Sequence, residues 1–125
     1  GEVAAAYGLR LRPREMAKIG ELGLAKGMWN GRRIVSEAWI EESTVARTDV
    51  ADSLRYGYHW WRDEGKTGDR QVSWIAAQVL GGQRIYIVPA FGLVVVITAG
   101  LYGSSSQDWV SFDIFDKYVL AAIRD

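Results

Sequence analysis

Cysteine is absent from this chain of 125 residues, which excludes a disulfide framework and thiolate metal ligation. With one histidine, His59, a zinc site built from His and Cys is excluded too, and no cofactor is expected. Net charge is also missing: 15 Lys and Arg balance 15 Asp and Glu. The basic residues are scattered, and a pair such as Arg32-Arg33 is too short to form a patch. The chain therefore carries no field that would draw it to nucleic acid or an acidic membrane, and its charges read as a solvated surface. No apolar run approaches the ~20 residues that would span a bilayer.

What is present points to a packed core. Hydrophobic residues make up 49% of the chain and charged residues 24%, which suits one domain or part of one. Six tryptophans and six tyrosines are many for this length, and they serve either as core aromatics or as a ligand-stacking surface.

Tyr7 to Arg12 alternates apolar and basic residues and reads as a short strand or extended lead-in. Pro13 suits the first position of a helix. Met16, Ile19, Leu22 and Ala25 recur at helical spacing, and Gly27 fits the stop. Gly27-Met28-Trp29-Asn30-Gly31 reads as a turn, because Asn-Gly readily takes positive φ. Ser36 is a good N-cap for a helix over Glu37 to Thr44 that turns Trp39 and Ile40 inward. Thr48 to Ser53 reads as loop, Tyr56 to Arg62 as an aromatic strand, and Asp63 to Asp69 as a polar hairpin loop.

Strands are expected at about Gln71 to Val79, Gln83 to Pro89 and Gly92 to Ala99. The first two read either as separate strands or as one strand bent at Gly81-Gly82. Ser104 to Ser106 offer caps for a last helix, with Trp109, Phe112, Phe115, Val119 and Ile123 on its apolar face. The order helix, helix, antiparallel strands, helix is α+β. It predicts an antiparallel sheet packed by N- and C-terminal helices.

Motif by motif, several chemistries fall away. A phosphate-binding loop around Gly65-Lys66-Thr67 would need glycine where Trp60 stands and a helix where a strand is expected. His59 lacks a Gly-x-Ser-x-Gly elbow to pair with and reads as a structural side chain. Glu41-Glu42, Asp49, Asp52 and Asp63-Glu64 sit in helix or loop contexts that favour solvent over a facing pair of carboxylates. Trp60, Trp61 and Trp74 could stack on a sugar. Adjacent Trp60-Trp61 would point to opposite faces of a strand, one into the core.

Several segments, taken in order, resemble one family. They are Gly8-Leu9-Arg10-Leu11-Arg12-Pro13-Arg14-Glu15-Met16-Ala17, then Gly27-x-Trp29-x-Gly31-x-x-Ile34 with Trp39, then Tyr56-Gly57-Tyr58-His59-Trp60-Trp61. Gly81-Gly82-Gln83-Arg84-Ile85-Tyr86-Ile87-Val88-Pro89 and Leu93-Val94-Val95-Val96-Ile97-Thr98 complete the series. Together they resemble the C-terminal portion of the serine hydrolases of the β-lactamase and penicillin-binding-protein type, especially the esterase and 6-aminohexanoate-dimer hydrolase branch. The resemblance implies part of the β-lactamase/transpeptidase-like fold. It also implies a parent enzyme that cleaves a small ester, amide or lactam through an acyl-enzyme.

The family's third signature element, Lys-Thr-Gly, has two placements here. One is the literal Lys66-Thr67-Gly68. The other places Ala77, Gln78 and Val79 at the equivalent positions, ahead of Gly81-Gly82-Gln83. Val79 departs from the glycine usual there. On the second placement the Leu80 backbone N–H would be an oxyanion donor, a group whose loss costs about 3 kcal/mol, and Gly81 and Gly82 would let substrate approach. The competing reading of the glycine pair is a β-bulge.

The nucleophile is not in this chain. No serine has lysine three residues later: Ser36 meets Trp39, Ser43 meets Ala46, Ser53 meets Tyr56 and Ser73 meets Ala76, and the remaining serines fail likewise. The Tyr-x-Asn element is missing as well, since the only asparagine, Asn30, follows Met28 by two. In the family both elements lie upstream of the part that Tyr7 to Ala17 matches, so the resemblance implies a C-terminal fragment that works with the N-terminal part of the same protein. The alternative is a non-catalytic, aromatic-rich α+β binding module for sugar or peptide, and a catalytically lapsed homologue is also consistent with Val79.

Overall fold

The computed structural model describes residues 10–123. Of the expected N-terminal strand, Tyr7 to Leu9 lie outside the described residues, and Arg10–Arg12 have no regular structure. Helix α1 spans Pro13–Leu24, with proline in the first turn, where its missing N–H is no loss. The Glu15 carboxylate reaches back to accept from the Arg12 N–H at 2.7 Å. At the other end Gly27 takes φ +86° and donates to the Leu22 carbonyl at 2.8 Å. A side chain there would meet the Val35 carbonyl oxygen at 2.1 Å, so only glycine fits.

Met28–Trp29 (β1) and Arg32–Arg33 (β2) form a two-stranded hairpin. Its tip is Asn30-Gly31 with both φ values positive, the mirror-image turn that matches strand twist. Helix α2, Glu37–Thr44, is capped by Ser36, whose hydroxyl accepts from the Trp39 N–H at 3.2 Å. The inward turn expected of Trp39 is not found: its side chain is exposed and stacks with Tyr58 at 6.1 Å. The buried face of α2 is polar instead. Ser43 and Thr44 are buried because their hydroxyls bond back to the Ile40 carbonyl at 3.2 and 2.8 Å.

The main sheet is a six-stranded antiparallel meander of Thr48–Ala51 (β3), Leu54–Tyr56 (β4), Trp61–Thr67 (β5), Arg70–Val79 (β6), Gln83–Val88 (β7) and Leu93–Ile97 (β8), in that spatial order. Three expectations change here. Thr48 to Ser53 is not loop, since β3 pairs with β4, although all four of its residues are exposed and leave no apolar alternation to read.

Tyr56 to Arg62 is not one strand. Gly57 to Trp60 form a turn closed by the Gly57 N–H on the Trp60 carbonyl at 2.8 Å, with His59 at φ 64°. Gly57 sits where a Cβ would fall 2.4 Å from the Val45 carbonyl oxygen, so the chain bends at that contact. Nor is Asp63 to Asp69 a loop: β5 runs through Thr67, and only Gly68 and Asp69 turn. The polar run is tolerated because only Gly65 and Thr67 of it are buried. Gly65 makes room for Leu120, whose Cδ1 would lie 2.5 Å from any Cβ.

Helices cover both faces of the sheet. On one face α1 packs on β7 and β8, with Gly20 seated against Val94 and Ile85, and Gly23 against Ile87. On the other lies the C-terminal helix, Val110–Ile114 (α3) continued by a π-helical stretch over Phe115–Leu120. Here Val72, Trp74, Ala76, Tyr86 and Val88 meet Phe115 and Leu120 in the main core. Trp74 stands edge-on to Tyr86 at 5.4 Å and to Phe115 at 5.9 Å. Phe112, Val119 and Ile123 line the helix face as expected, whereas Trp109 is exposed. The chain is α+β, an antiparallel sheet with helices laid on it.

Candidate functional site

Strand β6 is longer than β5 at one end. The β5–β6 ladder stops at Trp61 opposite Ala76, while the β6–β7 ladder continues through Ala77 opposite Ile85, Gln78 opposite Arg84 and Val79 opposite Gln83. Ala77 to Val79 therefore overhang β5, and among the described residues no strand pairs with that side. An antiparallel strand points alternate backbone groups to either side, so the overhang presents part of its N–H and C=O groups outward. Ala77 and Gln78 are half-buried, and Val79 and Leu80 are exposed. Among the described residues the Leu80 N–H has no hydrogen-bond partner.

The glycine pair is neither a bend within one strand nor a bulge. Leu80, Gly81 and Gly82 form the tip of the β6–β7 hairpin, with Gly81 at φ 84° and Gly82 at φ 89°. Both glycines are buried by the protein's own chain. The Tyr102 ring lies where a Cβ on Gly81 would come within 2.5 Å of it, and Ala99 and Ser111 crowd Gly82 at 3.1 Å.

Hydrogen bonds then fix this end. The Gly81 N–H donates to Gln107 Oε1 at 3.0 Å, and the Gly81 carbonyl accepts from the Leu101 N–H at 3.1 Å. The buried Ser111 hydroxyl donates to the Gly82 carbonyl at 2.7 Å. The Gln83 side-chain amide pairs in both directions with the Ala99 backbone, accepting its N–H at 3.2 Å.

Arg84 is the anchor beneath the tip. It is 2% exposed, and its guanidinium donates to the carbonyls of Val79 at 3.0 Å, Gln83 at 2.9 Å, Gln107 at 3.3 Å and Asp108 at 3.2 Å. A buried cation is tolerated when this many acceptors surround it. Among the described residues the neighbouring Tyr86 hydroxyl is buried without a hydrogen-bond partner, and burial pushes its pKa up to about 12. Arg84, Tyr102, Gln107 and Ser111 carry no motif that sequence reasoning could have caught. Each acts through the backbone of a distant segment.

The alternative triplet lies at the other end of β6, about 30 Å of strand away at ~3.3 Å per residue. Lys66 is exposed, Thr67 is buried with its hydroxyl on the Ile123 carbonyl at 3.0 Å, and Gly68 is the hairpin tip at φ 55°. Thr67, Gly68, Asp69, Arg70 and Ile123 line a cleft of about 460 Å³. A second, apolar groove of about 290 Å³ runs between α1 and the β1–β2 hairpin, along Lys18, Ile19, Leu22, Trp29 and Ile34. Neither touches Ala77 to Gly82.

The remaining candidates stay apart. His59 is exposed, with Nδ1 3.5 Å from the Tyr56 hydroxyl. Glu41 pairs with Lys26 at 3.6 Å, Glu42 with Arg47, and Asp49 with Arg55 at 2.7 Å, all at the surface. Among the described residues no group of His, Asp or Glu is placed to hold a metal ion, and no helix is long and apolar enough to cross a membrane. Trp74 is buried, Trp61 packs against the core and Trp60 belongs to the Gly57–Trp60 turn. No two tryptophan rings are in contact among the described residues. No protein-family model matches this chain, and no curated protein sequence matches it.

Proposed function

We propose that this chain is the C-terminal part of a serine hydrolase of the β-lactamase type, and that it supplies one wall of an acyl-transfer site whose nucleophile comes from the N-terminal part of the same protein. The observation that carries this reading is the overhang of β6 beyond β5. An exposed strand end, with the Leu80 N–H unpaired, is what an oxyanion donor requires before substrate arrives. The reading draws further support from the order of the resembling segments.

In this arrangement the serine attacks an ester, amide or lactam carbonyl, and the Leu80 N–H stabilises the negative charge that forms on its oxygen. Collapse of that intermediate breaks the C–O or C–N bond, so that the alcohol or amine takes up the serine's proton and leaves, or the lactam ring opens. Water then hydrolyses the acyl-enzyme. The role of Arg84, Gln107 and Ser111 is to hold the hairpin tip rigid, so that the donor needs no reorganisation during the reaction. Ala77, Gln78 and Val79 line the approach. Gly81 and Gly82 are placed beneath it and support it through packing. The binding-module reading has less behind it, because its tryptophans form no platform.

The test is labelling with a serine-directed fluorophosphonate, read by mass spectrometry. A longer form of the protein should carry the adduct on a serine of a Ser-x-x-Lys upstream of this chain, and the 125-residue chain alone should carry none. Turnover or labelling by the isolated chain, or no labelling of the longer form, would sink the proposal.

A further inference from the structure

One peptide unit joins the buried Arg84 cation to the open donor. The Val79 carbonyl and the Leu80 N–H belong to the same planar amide, whose resonance couples its two ends. The carbonyl end accepts a hydrogen bond from Arg84 Nη1 at 3.0 Å. The N–H end has no partner among the described residues, and Leu80 is exposed. Arg84 also donates to the carbonyls of Gln83, Gln107 and Asp108, but none of these belongs to the Val79–Leu80 amide. Its charge meets little opposition. Arg84 is the only charged residue between Arg70 and Asp108 in the sequence. The Asp108 carboxylate lies 3.9 Å from Arg84 Nη2 and is itself exposed, where water weakens its pull.

We propose that Arg84 is a positioning residue that also polarises the donor: its guanidinium, bound to the Val79 oxygen, makes the Leu80 N–H more acidic and a stronger hydrogen-bond donor than an ordinary strand-end amide. Drawing electron density toward the oxygen raises the double-bond character of the C–N bond and leaves the N–H proton more positive. Hydrogen bonds that share a peptide reinforce one another in this way, and most where the donor is charged and the surroundings are dry. Arg84 meets both conditions at 2% exposure. The catalytic consequence rests on the hydrolase reading: an oxyanion held by Leu80 would feel the cation through one amide. The polarisation itself belongs to this chain alone.

Base-catalysed hydrogen exchange reads the acidity of an amide. Removing the Leu80 proton places the negative charge largely on the Val79 oxygen, beside the guanidinium. In the unmodified 125-residue chain, followed residue by residue by NMR, Leu80 should exchange about tenfold or more faster than the same Val-Leu amide in the unfolded chain. Arg84→Met keeps an unbranched side chain without the charge and should slow that exchange about tenfold, while Arg84→Lys should keep most of it. A residue that only held the tip in place would leave Leu80 no faster than in the unfolded chain, and its loss would not slow exchange. In a longer form, Arg84→Met should lower kcat about tenfold with KM unchanged, the split expected when only the transition state is affected.

Leu80 exchange no faster than in the unfolded chain overturns the proposal. So does a folded Arg84→Met chain whose Leu80 exchange is unchanged or faster, or an Arg84→Lys chain that behaves like it. If Arg84→Met does not fold, since it strips four carbonyls of a partner, the unmodified chain decides on its own. The two readings fail separately. Fast exchange at Leu80 with no fluorophosphonate adduct on the longer form removes the hydrolase and leaves the polarised amide. An adduct with slow exchange keeps the hydrolase and removes this role of Arg84.

Discussion

The two ends of β6 invert what their sequences advertise. The Arg70 end follows a literal Lys-Thr-Gly, yet there the ladder is complete and Thr67 spends its hydroxyl on the Ile123 carbonyl. The Val79 end carries no signature residue. It is nevertheless the end where the ladder with β5 runs out and where Gln107 and the buried Ser111, from a distant part of the chain, brace the turn. A side-chain triplet recurs by chance, whereas an unpaired strand edge with a braced tip needs many contacts to agree.

The largest expected effect separates the two ends by activity. On the proposed reading, Leu80→Pro in a longer form of the protein removes the oxyanion donor and should slow acylation about 10²–10³-fold, whereas Lys66→Ala should leave the rate unchanged. Single-turnover kinetics with an activated ester measure both. A larger loss from Lys66→Ala would transfer the site to the literal triplet.

Next comes stability at the two glycine tips. Gly81→Ala meets both the positive φ and the Tyr102 ring and should cost about 2–4 kcal/mol. Gly68→Ala, with nothing within 4 Å of the new Cβ, should cost only the backbone strain, about 1–2 kcal/mol. Urea unfolding of the two variants gives the difference directly, and equal losses would mean that Tyr102 does not brace the tip.

A smaller contrast concerns hydroxyls. Ser111→Ala strips the Gly82 carbonyl of a fully buried partner and should cost about 1–3 kcal/mol. Tyr86→Phe removes a buried hydroxyl that has no partner among the described residues, and at neutral pH it should not lower stability.

Tyr86 should instead reveal itself in alkali. Burial raises its pKa from 10.0 to about 12, so between those values the unfolded chain has released a proton that the folded chain still holds. Stability contributed by the neutral phenol is thus intact below pH 10.0 and declines as pH rises toward about 12. Thermal melts of the native chain and Tyr86→Phe over that interval should diverge, with the native chain falling faster. Parallel curves would show that Tyr86 does not remain neutral.

Much of the architecture could be read residue by residue. Pro13 at a helix start, Ser36 as a cap, Asn30-Gly31 as a turn and the pair of strands around Pro89 to Gly92 all express conformational preferences that a few neighbouring residues settle. The errors have a common cause as well. Thr48–Ala51 is wholly exposed and Glu64–Lys66 carries two charges, and they are strands because a neighbouring strand offers them a ladder. The aromatic run from Tyr56 breaks at Gly57 because a carbonyl from α2's exit occupies the only space there. Trp39 and Trp109 are apolar at helical spacing, but the elements they ride on present other faces to the sheet. Of the candidate site, the strand end from Ala77 to Gly82 is legible in the order of segments, whereas the brace of Arg84, Tyr102, Gln107 and Ser111 leaves no local signal because its partners lie far apart in the chain.

The sequence by itself determined that this is an α+β chain with no cysteine chemistry, no Ser-x-x-Lys and turns at defined places, because composition and local dihedral preference act over a handful of residues. Only the tertiary structure decided that β6 outruns β5 and that the glycines are packed against Tyr102 and Ser111. Those outcomes depend on where strands of unequal length stop against one another, and ladder register is set by partners far away in the chain.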